Sequence, residues 1–105
     1  MTAKLVYITV ASKQEAASIA KTLVEERLIA CANVIDGVSS YYWWEGKVEE
    51  DSEWVIIAKT VDERTDSIIT RVKTLHSANC PCIVFLPIEN GNPDFLKWVS
   101  TEATG

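Results

Sequence analysis

The sequence predicts a single α+β domain of order β-α-β-β-α-β with a helix added at the C-terminus. Three observations predict it. Two stretches of helical spacing each begin with a start signal, β-branched runs flank them, and a long tryptophan-rich hairpin separates them. The 105 residues suit one domain, residues 1–105, with 48% hydrophobic residues to build its core.

Leu5 to Val10 (LVYITV) reads as a buried strand. Ser12-Lys13-Gln14-Glu15 is a capping box: the serine hydroxyl accepts from the backbone three residues on, and the glutamate reaches back. Ala16, Ile19, Ala20, Leu23 and Val24 then share a face, so a first helix is expected over 13–27. A second strand follows over 29–44, with Asp36-Gly37 marking a bulge. Glu45-Gly46-Lys47 turns the chain into a third strand over 48–60. Thr60-Val61-Asp62-Glu63 has the form of a second capping box, and Thr65, Ile68, Ile69, Val72 and Leu75 give a second helix its face. CIVFLP, residues 82–87, is a fourth strand. Asn92-Pro93 opens a last helix with an asparagine cap and proline at its first position, its apolar face supplied by Phe95, Leu96 and Val99. Two helices on one face of a four-stranded antiparallel sheet is the ferredoxin-like plan.

The second strand, at ~3.3 Å per residue, reaches roughly 50 Å. The first helix rises only ~1.5 Å per residue and covers less than half of that. The overhang holds Val38, Tyr41, Tyr42, Trp43, Trp44 and Val48. A lone two-stranded ribbon is marginal in water, and aromatics at this density mark an interface, so partner subunits are expected over it. The alternative is that the terminal helix folds back over the hairpin.

Other features bound the function. A net charge of -5 argues against a nucleic-acid partner, which requires a basic footprint. Three cysteines and no visible leader suggest reduced thiols in the cytoplasm, and no apolar run is long enough for a membrane span. The loop after the first strand (Val10-Ala11-Ser12-Lys13) lacks the cysteine pair of a metal-chaperone domain and the arginine of an acylphosphatase. Tyr7 and Trp54 lack the basic flanks of an RNA-recognition domain, and three cysteines do not make an iron–sulfur site. With one histidine and no nucleophile elbow, no catalytic pair stands out, and a non-enzyme is expected.

Several segments resemble one family. Glu26-Arg27-Leu28-Ile29-Ala30-Cys31-Ala32-Asn33 is similar to the ERLAACVN segment of the CutA divalent-cation tolerance proteins. The run from Ser40 to Asp51 (SYYWWEGKVEED) resembles their S-x-Y-x-WEGKIEED hairpin tip, and the run from Leu86 to Leu96 resembles their LPIxxGNPDYL close. The resemblance implies a ferredoxin-like homotrimer, architecturally related to PII-type signalling proteins. It also implies a role in tolerance to copper and other divalent metals, without an established catalytic activity. An alternative is a PII-like signalling or scaffold trimer that binds a small molecule or partner protein between subunits. One segment departs from the family. Where its members read HPYEVPEI, this chain reads His76-Ser77-Ala78-Asn79-Cys80-Pro81-Cys82-Ile83.

His76, Cys80 and Cys82 are the metal candidates, because alternate residues of an extended segment face one side and soft thiolates with an imidazole suit Cu or Zn. Copper or another divalent metal is therefore the ligand to expect. Lys59, Glu50, Trp44 and Tyr42 are expected in an intersubunit cleft, with Lys59 in an ion pair or, alternatively, binding an anion, and the acidic run Glu49-Glu50-Asp51-Ser52-Glu53 as a solvated face or a weak site for hard cations. Tyr41, Trp43 and Trp44 are expected at the trimer interface, and Cys31 as a small core residue.

Overall fold

The structure, a computed structural model, describes residues 2–105. Its elements are β1 (Ala3–Val10), α1 (Lys13–Glu25), β2 (Cys31–Trp44), β3 (Lys47–Val61), a 3-10 turn (Asp62–Arg64), α2 (Thr65–Leu75), β4 (Ile83–Pro87) and α3 (Pro93–Glu102). The sheet order is β2-β3-β1-β4, antiparallel throughout, as the ferredoxin-like plan requires.

Side-chain alternation divides the sheet into two faces. Val6, Ile8 and Val10 of β1 pair with Ala58, Ile56 and Trp54 of β3, and Ile8 and Val6 pair with Ile83 and Phe85 of β4. This face packs under Ala16, Ile19, Ala20 and Leu23 of α1 and Ile68 and Val72 of α2 to form the main core. The opposite face carries Leu5, Tyr7, Thr9, Val55, Ile57 and Lys59. At its Val61 end α3 covers it, enclosing Ala30, Val61, Val99 and Ala103. The helix therefore does not fold back over the hairpin tip. Of its expected face only Val99 is fully buried; Phe95 instead stands partly exposed against Trp98, with ring centroids 5.6 Å apart.

Two of the three expected helix starts carry their caps. Ser12 caps α1, accepting from Glu15 N at 3.2 Å. The Glu15 carboxylate is held chiefly by Ser77, accepting from its backbone N–H at 2.7 Å and its hydroxyl at 2.9 Å. Asn92 caps α3, accepting from Asp94 N at 3.0 Å. Thr60 is not a cap. It is buried within β3, and its hydroxyl donates to Leu28 O at 2.7 Å, while α2 begins five residues later from a 3-10 turn. The first helix stops at Glu25, two residues short of expectation, because Arg27 adopts the left-handed conformation (φ 59°) and closes the end with Arg27 N–Val24 O and Leu28 N–Leu23 O bonds.

In the hairpin, the ladder shifts by one residue between Ile35 and Val38, with Gly37 at φ 77°: the bulge expected at Asp36-Gly37. The turn has Glu45 at φ 50° and Gly46 at φ 79° between paired Trp44 and Lys47, the type I′ geometry that fits strand twist. The ribbon stretches the molecule to 44 × 25 × 22 Å, with a radius of gyration of 14.1 Å. A compact chain of this length would have about 13 Å.

Candidate functional site

Beyond the bulge, even-numbered residues of β2 stand on the same face as Tyr7 and Thr9. The ladder pairs Val38 with Glu53, Ser40 with Asp51, Tyr42 with Glu49 and Trp44 with Lys47. This side of the hairpin, the open face at Tyr7 and Thr9, and residues 76–82 line one cavity of about 660 Å³. Tyr42, Trp44, His76, Cys80 and Cys82 all belong to its wall. With Tyr41, which also lines it, the structure thus brings together six of the site residues picked out from sequence, drawn from the metal, cleft and interface groups.

Others lie elsewhere. Glu50 pairs with Tyr41 on the opposite face of the ribbon. Lys59 pairs with Cys31 and Leu5 at the base of the sheet, nine residues and roughly 30 Å along β3 from Glu50. Among the described residues no ion pair forms there; the Lys59 ammonium donates to Asn33 Oδ1 at 3.0 Å. Cys31 is half-buried on the face away from α1 and α2, so it is not part of the main core. Trp43 (74% exposed) projects from the tip with Val48, and Tyr41 (66%) is exposed at the cavity's rim.

His76 is fixed in place. Its side chain is only 5% exposed. Nε2 lies 2.7 Å from Thr9 O, an atom that only accepts, so Nε2 carries the proton. Nδ1 then accepts from Ala78 N–H at 3.0 Å. Both ring nitrogens are engaged, and the imidazole anchors residues 76–78 to β1. Glu15 supports the same segment. Burial pushes its carboxyl upward, but the bonds from Ser77 and the nearby His76 ring outweigh this and hold it below the usual carboxylate range. Across the cavity the Tyr42 hydroxyl donates to Asp51, and that bond, with desolvation and the charges of Asp51, Glu53 and Glu49, pushes its pKa up to about 12. The phenol is therefore neutral and locks the aromatic ring to β3.

Among the described residues, no three His, Cys, Asp or Glu side chains gather as metal donors. The histidine expected beside the two cysteines is engaged with backbone. Cys80 and Cys82 remain exposed free thiols. Sequence reasoning gave Glu15 only a capping role, whereas it holds the wall segment through Ser77; Glu53, the last residue of the acidic run, lines the cavity. The capping-box glutamate was the one available signal, and it was assigned a different partner.

The family model for CutA1 divalent ion tolerance protein matches residues 4–102. A divalent-cation tolerance protein CutA of Thermus thermophilus is 46% identical over 102 residues, covering 97% of this chain and 98% of its own. The solved CutA1 structure from the same organism superposes with a TM-score of 0.93 at 44% identity, covering 95% of this chain and 97% of its own. That of a CutA from Archaeoglobus fulgidus, described as periplasmic, gives 0.92 at 40% identity over 96% and 98%. The expected cytoplasmic location is therefore not a property shared by every relative. No helix among the described residues is long and apolar enough to cross a membrane. With a match spanning nearly its whole length and a fold that superposes on solved members, this chain belongs to the CutA1 family of divalent ion tolerance proteins.

Proposed function

We propose that this chain acts in divalent-cation tolerance, copper included, as a homotrimer that binds its ligands in clefts bounded by the hairpin. The family membership supports the tolerance role. The observation that supports assembly is the apolar surface left on one chain: Tyr41, Trp43 and Val48 at the tip, and Val84 and Leu86 on the open face of β4, all about half exposed or more. A second and third copy laid against these surfaces would bury them and close the cavity at Tyr42 and Trp44. The protein works by binding rather than by catalysis. His76, the one histidine, has both nitrogens committed to backbone partners and is not free as a general base. Three unpaired cysteines suit a reducing compartment such as the cytoplasm.

Two measurements test this reading. Sedimentation equilibrium at micromolar concentration is expected to give three times the 11.7 kDa chain mass; a monomer would overturn the assembly. Cells lacking the protein are expected to become sensitive to copper and other divalent cations, with rescue by the intact gene; unchanged sensitivity would overturn the tolerance role. A thermal-shift panel separates the signalling alternative, in which nucleotides or small anions, and not metals, raise the melting temperature.

A further inference from the structure

Along one face of β3 the side chains follow a graded order. Glu49, Asp51 and Glu53 stand toward the tip, Val55 and Ile57 in the middle, and Lys59 at the base. The acids share the ribbon side of Tyr42 and Trp44, and Lys59 shares the open sheet face of Leu5 and Tyr7. Carboxylates on alternate residues of one strand, about 6.6 Å apart along it, repel one another. Lys47, at the turn on the same side, offsets only one of the three. The arginine–carboxylate pairs among the described residues, Arg27–Glu102 and Arg71–Glu26, lie outside the hairpin. Asp51 accepts from the Tyr42 hydroxyl, whereas Glu49 and Glu53 have no hydrogen bond or ion pair among the described residues.

The proposed assembly makes this row costly. A copy laid on the Tyr42 and Trp44 side covers the carboxylates too, and a carboxylate taken out of water without a counter-charge is strongly unfavourable. The covering surface therefore has to bring a cation. The open face that each chain offers for burial, with Val84 and Leu86 exposed on it, holds one cation among its strand residues at the base, Lys59. Its ammonium meets only a neutral amide in its own chain, Asn33 Oδ1 at 3.0 Å. Glu53, the nearest of the three acids along β3, is six residues away, roughly 20 Å, too far to pair within a chain. We propose that Lys59 of each copy is the counter-cation for Glu49 and Glu53 on the hairpin of the next. The contact is head to tail: a chain gives its acidic end to one neighbour and its basic end to the other, the kind of contact that closes into a ring. The charges fix the register in which the copies meet.

This rests on the homotrimer reading, and the test separates the two. Sedimentation equilibrium is run at a urea concentration that partly dissociates the wild-type trimer. K59E is expected to raise the dissociation constant roughly 100-fold, and E49K/E53K to do the same. The exchanged variant K59E/E49K/E53K is expected to regain at least about 10-fold, because a defect confined to one partner would persist in it. K59M, which keeps the aliphatic stem, falls between wild type and K59E. A second measurement needs no variant. In trimers mixed from isotope-labelled and unlabelled wild-type chains, a carbodiimide is expected to join Lys59 to Glu49 or Glu53 in peptides with one labelled and one unlabelled half. A wild-type trimer with no such mixed cross-link, K59E as tight as wild type, or an exchange that regains nothing overturns the pairing and leaves the assembly standing. A wild-type chain that sediments as a monomer without urea overturns both.

Discussion

Near its base, the β2–β3 ladder lies beneath two helices, and Ile56 and Ala58 have no exposed surface. Near its tip the same ladder, in unbroken pairing from Val38–Glu53 to Trp44–Lys47, carries Tyr41, Trp43 and Val48 into solvent. Backbone hydrogen bonding is alike in the two regions, and what differs is the layer above. The base draws its stability from its own chain. Under the proposed assembly the tip would be covered by partner copies, and its stability would then scale with their concentration.

Substitutions at matched positions test that contrast. The largest effect is expected at the base. Ile56→Ala leaves a cavity in the main core and should lower the unfolding free energy by about 2–5 kcal/mol in a urea titration. At the tip, Trp43→Ala removes a side chain that is 74% exposed on a single chain. It should act on assembly, weakening the trimer by about 2 kcal/mol or ~30-fold in dissociation constant, as read by sedimentation. An equal loss of assembly and of single-chain secondary structure at high dilution would erase the distinction. Gly46→Ala is expected to cost about 1–2 kcal/mol, because φ 79° is unfavourable for an L-residue while an added Cβ meets no atom within 4 Å. The smallest effect is pH-dependent. Glu15 has a folded pKa below its unfolded value, so its contribution is present above the unfolded value near 4.5 and is lost as pH falls through the folded one. Glu15→Gln should therefore lower the urea midpoint at pH 7, and the difference should shrink as the pH falls below 4.5.

Much of the fold was legible because its signals are local. Ser12 and Asn92 cap helices through atoms two or three residues away, and Asp36-Gly37 and Gly46 mark backbone conformations that few other residues adopt. The site was legible only in part, since its bonds join distant segments. Thr60 has the form of a cap, but its hydroxyl meets Leu28, 32 residues earlier. Glu15 finds Ser77 across 62 residues, and His76 finds Thr9 across 67. Lys59 meets Asn33 on the neighbouring strand and not an acid further along its own. In each case the side chain's chemistry was readable, and its partner was set by strand order.

The extra residue at Asp36-Gly37 works as a gearing device for the whole tip. Below it, odd-numbered residues of β2 share a face with Tyr7; above it, even-numbered ones do. Removing one residue there would restore a single phase and exchange the two sides of the ribbon. Trp43 would turn to the side now held by Tyr42 and Trp44, and those two would turn outward, with the composition of the tip unchanged. A deletion of Gly37 would thus rewrite both the cleft and the outer aromatic surface without altering any residue in either.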